Sequence, residues 1–560
     1  MRYHVLATDY DGTLAHHGSV TEETARAIER LRETGRRTVL VTGRILSDLA
    51  RVFGRFDLFD LVVAENGAVL FDPARNVERP LAEPPPERLR RLLGEHGVPF
   101  DLGRAILATW EPHQNTVLEA IRELGLEHAV IFNKGAVMVL PQGVNKASGL
   151  AAALAELGLT AHEVAAVGDA ENDHALLAAA ECGVAVANAV PSLKEQADLV
   201  TAGSWGDGVR ELADRLVRED LADVDAPRRD VPLGETAAGT IAFRPARDRV
   251  LFAGGSGSGK TTAASGLVER LLEREYQLCV IDPEGDYEGF AGLTSVGAAG
   301  RAPTAEEVIA LLADPAVSPS VNLLGVKVAD RPSWFAALLP RLQELRGRTG
   351  RPHLWVADEA HHLFPRDWQA APSSWPADPG AALFVTLSPD RLAPVLLRSL
   401  TGLVTMGDEA QEGLARFLET AGLAAIPAPA FTDSEAVSWW RRRPGEAVAI
   451  RVEPPRTAHH RHLRKYAHGD VREKAFRFRG RDGRLDLRAQ NLELFLQLAE
   501  GVDEDTWRFH LEQGDYERWL LEAIKDPEAA REVEAIRRSP ASADESRRRV
   551  REILEQRYML

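Results

Sequence analysis

Val5-Leu6-Ala7-Thr8-Asp9-Tyr10-Asp11-Gly12-Thr13 is the stretch from which the fold is read. Val5-Leu6-Ala7 makes a short apolar strand, and two carboxylates two positions apart follow at once, on a chain that turns at Gly12. Outward from it, short strands alternate with amphipathic helices over 1–217, a pattern that favours a parallel sheet covered on both faces. Ligands of such sheets sit at the carboxyl ends of the strands, so the polar residues that directly follow strands carry the functional information. A strand expected over 38–41 ends in Thr42-Gly43-Arg44, a hydroxyl with backbone N–H groups that suit a phosphoryl oxygen. Asn145-Lys146 puts a fixed cation at a helix start, and a strand over 164–167 runs into Gly168-Asp169-Ala170-Glu171-Asn172-Asp173, a second acidic cluster.

Each piece alone is weak, since Asp-x-Asp is most often a turn or a helix cap. Together and in this order they specify a chemistry. A phosphomonoester repels a carboxylate nucleophile, and a hard cation such as Mg²⁺ with carboxylate ligands removes that barrier. One Asp can then attack phosphorus, while the other protonates the leaving oxygen and later activates water. The residues resemble the haloacid dehalogenase (HAD) superfamily of phosphatases over about 1–217. The resemblance implies a Rossmann-like core with Asp9 as nucleophile, Asp11 as general acid/base, and Thr42 and Lys146 as phosphoryl clamps. It implies Mg²⁺ held by Asp9, the Asp11 carbonyl and Asp169, with Asn172 and Asp173 in support. Ala64-Glu65-Asn66-Gly67-Ala68 and the insertion that follows are similar to the Cof-type subgroup, which implies an α/β cap over about 66–141, with Asn133-Lys134-Gly135 as ligand contacts. The usual substrates of that family are small phosphorylated metabolites such as sugar phosphates or phosphoglycolate.

A second strand–helix alternation is expected over 240–455. Arg249-Val250-Leu251-Phe252-Ala253 is a strand, Gly254-Gly255-Ser256-Gly257-Ser258-Gly259-Lys260-Thr261-Thr262 follows, and a helix begins. This is Gly-x-x-x-x-Gly-Lys-Ser/Thr in its required strand–loop–helix setting. The glycines Gly254, Gly257 and Gly259 let backbone N–H groups surround phosphates. Lys260 supplies charge to the β- and γ-phosphates, Thr261 can ligate Mg²⁺, and Thr262 follows it. A strand over 353–357 ends in Asp358-Glu359-Ala360-His361, where Asp358 suits the Mg²⁺ shell and Glu359 the polarisation of an attacking water. Thr386 or Ser388, after another strand, suits a polar sensor of the γ-phosphate. With Asp282-Pro283-Glu284-Gly285-Asp286-Tyr287, these elements resemble the HerA–FtsK-type pumping ATPases. That resemblance implies ATP hydrolysis, a hexameric ring, and DNA or polypeptide as the transported partner.

The chain has 560 residues, a formal charge of −17, 45% hydrophobic and 27% charged residues, and two cysteines, Cys182 and Cys279. This composition builds cores and excludes a wholly disordered chain. So few cysteines fit a reducing cytoplasm. No apolar run approaches the ~18 residues of a membrane helix, and nothing at the start has a signal-peptide layout. The stretch 218–239, charged and proline-bearing, is expected to be a linker. From 456 to 488, 11 Lys or Arg face 4 Asp or Glu, and Phe476-Arg477-Phe478-Arg479 alternates at strand period, rings in and guanidinium groups out. A solvated face is the plainer account of this patch and a DNA surface the sharper one. His459-His460-x-His462 is read as a surface cluster. Helices are expected over 491–498, 506–524 and 546–557, making 456–560 a basic, mostly helical accessory module. The fold class is thus multidomain α/β. Its function is read as a Mg²⁺-dependent phosphatase fused to an ATPase. The alternatives are a DNA- or polypeptide-handling motor with the first block as accessory, and a nucleic-acid end-processing kinase–phosphatase.

Overall fold

The computed structural model describes every residue except 134, 256, 369–374, 377–378, 433–434, 444, 457–474, 481–484, 525, 540 and 559–560. The histidine cluster at 459–462, most of the basic stretch and Lys134 therefore lie outside the described residues. The chain forms two compact units, residues 1–283 with 292–454, and residues 284–291 with 455–560.

The first unit contains two large sheets. One has eight strands, in the order Leu199–Val200, Cys182–Ala185, Val164–Gly168, Val5–Thr8, Arg37–Val41, Leu61–Ala64, Val69–Asp72 and Val77–Pro80. The first six run parallel and the last two antiparallel. Its central strand, Val5–Thr8, is buried along its whole length, as an uninterrupted apolar run covered on both faces must be. Thr8 pairs with Val167 on one side and Leu40 on the other, so Asp9, Thr42 and Asp169 emerge together at one edge.

Above that edge stands a four-stranded antiparallel sheet, Asp101–Leu102, Leu107–Trp110, Ala136–Pro141 and His128–Asn133. Helices Glu87–Glu95 and Gln114–Glu123 cover one face of it through Leu89, Leu93, Val117 and Ile121. The cap expected over about 66–141 is shorter than that span. Val69–Asp72 and Val77–Pro80 pair with the core sheet instead, because Val69, Leu70 and Phe71 bury against it.

The second large sheet has eleven strands. Seven are parallel: Gly402–Met406, Arg249–Gly254, Ala381–Thr386, Leu354–Ala357, Leu278–Asp282, Pro319–Asn322 and Thr294–Val296, in that order. Ala436–Trp440, Ala447–Val452, Val231–Thr236 and Gly239–Phe243 extend it by antiparallel pairings. The stretch 218–239 read as a linker thus contains a strand. Val231 and Leu233 alternate inward and are fully buried, a period of two.

The two sheets meet at their amino ends. Glu163, directly before strand Val164–Gly168, takes a hydrogen bond of 2.5 Å from His353, directly before strand Leu354–Ala357. His162 stacks on Tyr276 with ring centroids 3.8 Å apart, and Arg351 Nη2 donates to the Gly158 carbonyl at 2.9 Å. The Tyr276 hydroxyl donates to the buried Glu181. The carboxyl ends of the two sheets therefore face away from each other.

In the second unit, strands Phe476–Phe478 and Leu487–Ala489 pair beside helices Leu492–Gly501, Glu504–Gln513, Pro527–Arg537 and Ala543–Tyr558. Phe476 and Phe478 point inward and Arg477 outward, as their alternation predicts. Trp507, Tyr516 and Trp519 are core residues. The single helix expected over 506–524 is broken at Gly514, whose φ of 72° ends one helix before Asp515 starts the next.

Candidate active sites

Helix Lys146–Leu157 delivers a cation to the first site. Asn145 caps it by accepting the N–H groups of Ala147 and Ser148, and Ser148 returns the bond. The helix lies against the turn after strand Leu61–Ala64 with almost no clearance. A Cβ on Gly149 would stand 2.5 Å from the Gly67 Cα, and one on Gly67, at φ +108°, would stand 1.9 Å from the Asn145 carbonyl oxygen. This contact fixes where Lys146 begins.

Lys146, 1% exposed, donates from Nζ to Asp9 Oδ1 and to Asp173 Oδ1, each at 2.6 Å. Asp173 is held in turn by the N–H groups of Asp169 and Ala170, both donating to Oδ2 at 3.0 Å. Asp169 Oδ1 accepts from the Thr13 hydroxyl at 2.9 Å. Carboxylate oxygens of Asp9, Asp169 and Asp173 lie within 4.8 Å of one another. Burial pushes the Asp9 carboxyl up to about 8, with Lys146 opposing and Asp173 and Asp169 adding to the rise. Burial works against the charge on Lys146, but Asp173 and Asp9 outweigh it and hold the ammonium above the ordinary lysine value.

These residues fit a hard divalent cation. Three carboxylates crowded around one lysine leave negative charge uncompensated, and Asn172 Oδ1 is buried with no hydrogen-bond donor. Asp11 is placed differently. Its carboxylate lies outside the cluster and takes a forked bond from Arg44, Nε at 2.6 Å and Nη2 at 2.7 Å. Thr42 is buried at the strand end, and its hydroxyl accepts the Arg44 backbone N–H at 3.2 Å. Four participants to which the sequence assigned no role are Thr13, Arg44, Met138 and Glu65. Met138 of the cap sheet comes within 3.6 Å of where a Gly43 Cβ would be. Glu65, fully buried, accepts the N–H groups of Arg104, Ala105 and Ile106 from the cap loop at 2.8, 2.9 and 3.2 Å, and so ties cap to core. Burial raises the Glu65 carboxyl while those three N–H groups pull it down. The only signal for Glu65 in the sequence was its place in the 64–68 segment; its burial and its positive φ of 53° are visible only in the fold.

The second site lies at the carboxyl edge of the eleven-stranded sheet. Strand Arg249–Gly254 leads through the glycine-rich loop into helix Lys260–Glu273. Gly257 and Gly259 have φ of +84° and +86°, which side-chain-bearing residues rarely adopt. A Cβ on Gly254 would collide with the Met406 carbonyl oxygen at 2.5 Å. Lys260 is buried at the helix start with Nζ 3.5 Å from the Gly255 carbonyl, beside Thr261 and the exposed Thr262. Two strands away, Asp358 ends Leu354–Ala357, buried, and its Oδ1 accepts the Glu359 N–H at 2.9 Å. Glu359 has a φ of 41° and its carboxylate lies 3.4 Å from His361 Nδ1. Thr386, buried on the strand between, lies 3.3 Å from the same His361 nitrogen. The Ser388 hydroxyl bonds Asp390.

The first constellation gathers three carboxylates and a buried lysine at the tip of a central parallel strand. Residues 6–92 and 106–212 match the haloacid dehalogenase-like hydrolase family, and residues 248–327 match the helicase HerA central domain. The chain is 34% identical over 219 residues to a phosphoglycolate phosphatase of Methanothermobacter thermautotrophicus, covering 38% of this chain and 98% of that protein. A phosphoglycolate phosphatase of Haloarcula marismortui is 34% identical over 218 residues, 37% of this chain and 94% of its own. The 5-amino-6-(5-phospho-D-ribitylamino)uracil phosphatase YcsE of Bacillus subtilis is 29% identical over 233 residues, 37% of this chain and 92% of its own. The chain belongs to the haloacid dehalogenase-like hydrolases, joined in one polypeptide to a HerA-type ATPase domain. Among the described residues, no helix is long and apolar enough to cross a membrane.

Proposed function

We propose that residues 1–217 hydrolyse a small phosphorylated metabolite, of the phosphoglycolate or sugar-phosphate class, and that 240–455 hydrolyse ATP. The observation that carries the first part is Lys146 bonded to both Asp9 and Asp173 beside Asp169. Lys146 pins Asp9 Oδ1 and leaves the other oxygen to attack phosphorus. The ester P–O bond breaks as an aspartyl-phosphate forms on Asp9. Asp11, a carboxylate while it holds Arg44, leaves it and takes up a proton from solvent; it gives that proton to the departing alcohol, then takes one from the water that cleaves the acyl-phosphate, so the carboxyl is restored. Thr42 and Lys146 hold the phosphoryl oxygens. Mg²⁺ held by Asp9, Asp169, Asn172 and the Asp11 carbonyl, with Asp173 positioning them, would neutralise phosphoryl charge. The cap tied down by Glu65 excludes bulk water and limits substrate size.

At the second site, Gly254, Gly257, Gly259, Lys260 and Thr262 cradle the phosphates of ATP, and Thr261 and Asp358 would hold its Mg²⁺. Glu359 polarises water, which favours hydrolysis over transfer to an alcohol and so argues against the kinase–phosphatase reading. The HerA match favours a second reading, in which ATP hydrolysis moves DNA or polypeptide through a hexameric ring with 456–560 as accessory module. Cys182 and Cys279 are free and buried, in keeping with a cytoplasmic protein.

Asp9→Asn is expected to lower phosphomonoester turnover at least about 10³-fold and leave ATPase intact, and Lys260→Ala to do the converse. Unchanged turnover of phosphoglycolate and of a generic phosphomonoester in Asp9→Asn would refute the first assignment. An ATPase rate that does not respond to added DNA would count against the DNA motor.

A further inference from the structure

One ring nitrogen at the second site faces two groups. Glu359 follows strand Leu354–Ala357 and Asp358 with φ 41° and ψ 50°, a left-handed conformation that residues with a side chain seldom hold. The turn that it starts, Ala360–His362, is pinned to the core. Ala360, Leu363 and Phe364 are fully buried, and the N–H groups of Leu363 and Phe364 both donate to the Ala360 carbonyl, at 3.0 and 2.9 Å. The turn brings His361 back to its neighbour's carboxylate. His361 Nδ1 lies 3.4 Å from Glu359 Oε2 and 3.3 Å from Thr386 Oγ1. The side chains of His361 and Glu359 are each only 14% exposed, so both are held where they stand.

Thr386 connects this nitrogen to the phosphate loop. It ends the strand that lies between the one leading to Asp358 and the one leading to the glycines, and it pairs with Ala253, the residue before Gly254. An ionised carboxylate only accepts hydrogen bonds, so a ring nitrogen that serves Glu359 carries the ring proton. The Thr386 oxygen is then a second acceptor for the same N–H, with the hydroxyl's own proton directed at the Ser388 carbonyl, 3.5 Å away. Both contacts of the ring exceed the roughly 3.2 Å limit of a settled N–H···O bond. Catalytic hydrogen bonds are commonly long in this way before a substrate closes them.

We infer, on the reading of this site as an ATP hydrolase, that His361 is a positioning residue: its Nδ1–H holds the Glu359 carboxylate toward the attacking water, while the Thr386 oxygen fixes the ring from the side of the phosphate loop. The test is ATP hydrolysis by the full chain with Mg²⁺, with affinity measured separately by titration of a fluorescent ATP analogue. His361→Ala removes the donor and is expected to lower kcat at least about tenfold, with KM and nucleotide affinity within about twofold of the parent. His361→Asn keeps an N–H near the Nδ1 position and is expected to recover at least about a third of the parent kcat, whereas His361→Gln, whose amide reaches past that position, stays slow. Glu359→Gln is expected to be at least about 100-fold slow. Adding His361→Ala to it should change the rate by less than about twofold, because groups that act as a unit do not add. Parent kcat in His361→Ala, equal rates in His361→Asn and His361→Gln, or a further tenfold loss in the Glu359→Gln background would each overturn the inference. A slow Glu359→Gln beside a His361→Ala of parent rate removes this inference alone. A Glu359→Gln that hydrolyses ATP at the parent rate, or a parent that hydrolyses none, removes the ATP-hydrolase reading and this inference with it.

Discussion

At the scale of single residues, the phosphatase site depends on an absent side chain. Gly67 has a φ of +108° and its Cα faces the Asn145 carbonyl, so any Cβ there collides with the cap of the helix that starts at Lys146. Gly67→Ala is expected to cost about 1–3 kcal/mol from backbone conformation alone, and more from the collision. Phosphatase activity should fall more than stability does, because Lys146 moves with the helix start. Thermal melting and kcat on one preparation check this; a variant with native kcat would show that Lys146 is placed by something else. Asp9, Lys146, Asp169 and the glycine loop were legible because each follows a strand or opens a helix, and local sequence reports such positions. Arg44 paired with Asp11, and Thr13 bonded to Asp169, were not, because pairing across 33 and 156 residues is set by the sheet and not by spacing.

At the scale of elements, one buried carboxylate joins the cap to the core, beside an apolar cluster of Ala68, Ala105, Ile106 and Met138. Glu65 accepts three N–H groups from 104–106. Glu65→Ala strands them, and each lost charge-assisted bond is worth roughly 1.5–3 kcal/mol. The expected result is faster amide exchange at 104–106 and at least about tenfold lower phosphatase kcat/KM, with ATPase unaffected. Unchanged exchange would mean the cap is held by its apolar contacts alone. Element order was readable from alternation, but element limits were less so. Strands Val69–Asp72 and Val77–Pro80 read as part of the cap, since nothing local distinguishes an antiparallel addition to one sheet from the start of another. Val231–Thr236 hid behind charged and proline-rich neighbours, although its inward Val231 and Leu233 were visible in retrospect.

At the scale of the first unit, the junction of the two sheets is a buried polar cluster with a defined tautomer. The Gln277 backbone N–H donates to His353 Nδ1 at 2.8 Å, so the ring proton sits on Nε2 and is given to Glu163. Burial holds His353 below the ordinary histidine value, against the pull of Glu163. Burial would raise Glu163, but His353 and its other partners outweigh it and leave that carboxyl below its ordinary range. Both folded values are depressed, so the unfolded chain binds more protons and stability falls with falling pH. The His353 contribution is lost below about pH 6.5, and that of Glu163 below about pH 4.5. His353→Gln is expected to lower the melting temperature at pH 7.5 and to flatten its decline toward pH 5.5. The largest change for one proton is about 1.4 kcal/mol per pH unit. Parallel melting curves for parent and variant would contradict a neutral buried His353.

Because Glu163 and His353 join the sheets where both sets of strands begin, the two reaction centres lie at the far ends of the sheets from this junction within the first unit. The fusion therefore guarantees equal copies of the two catalysts.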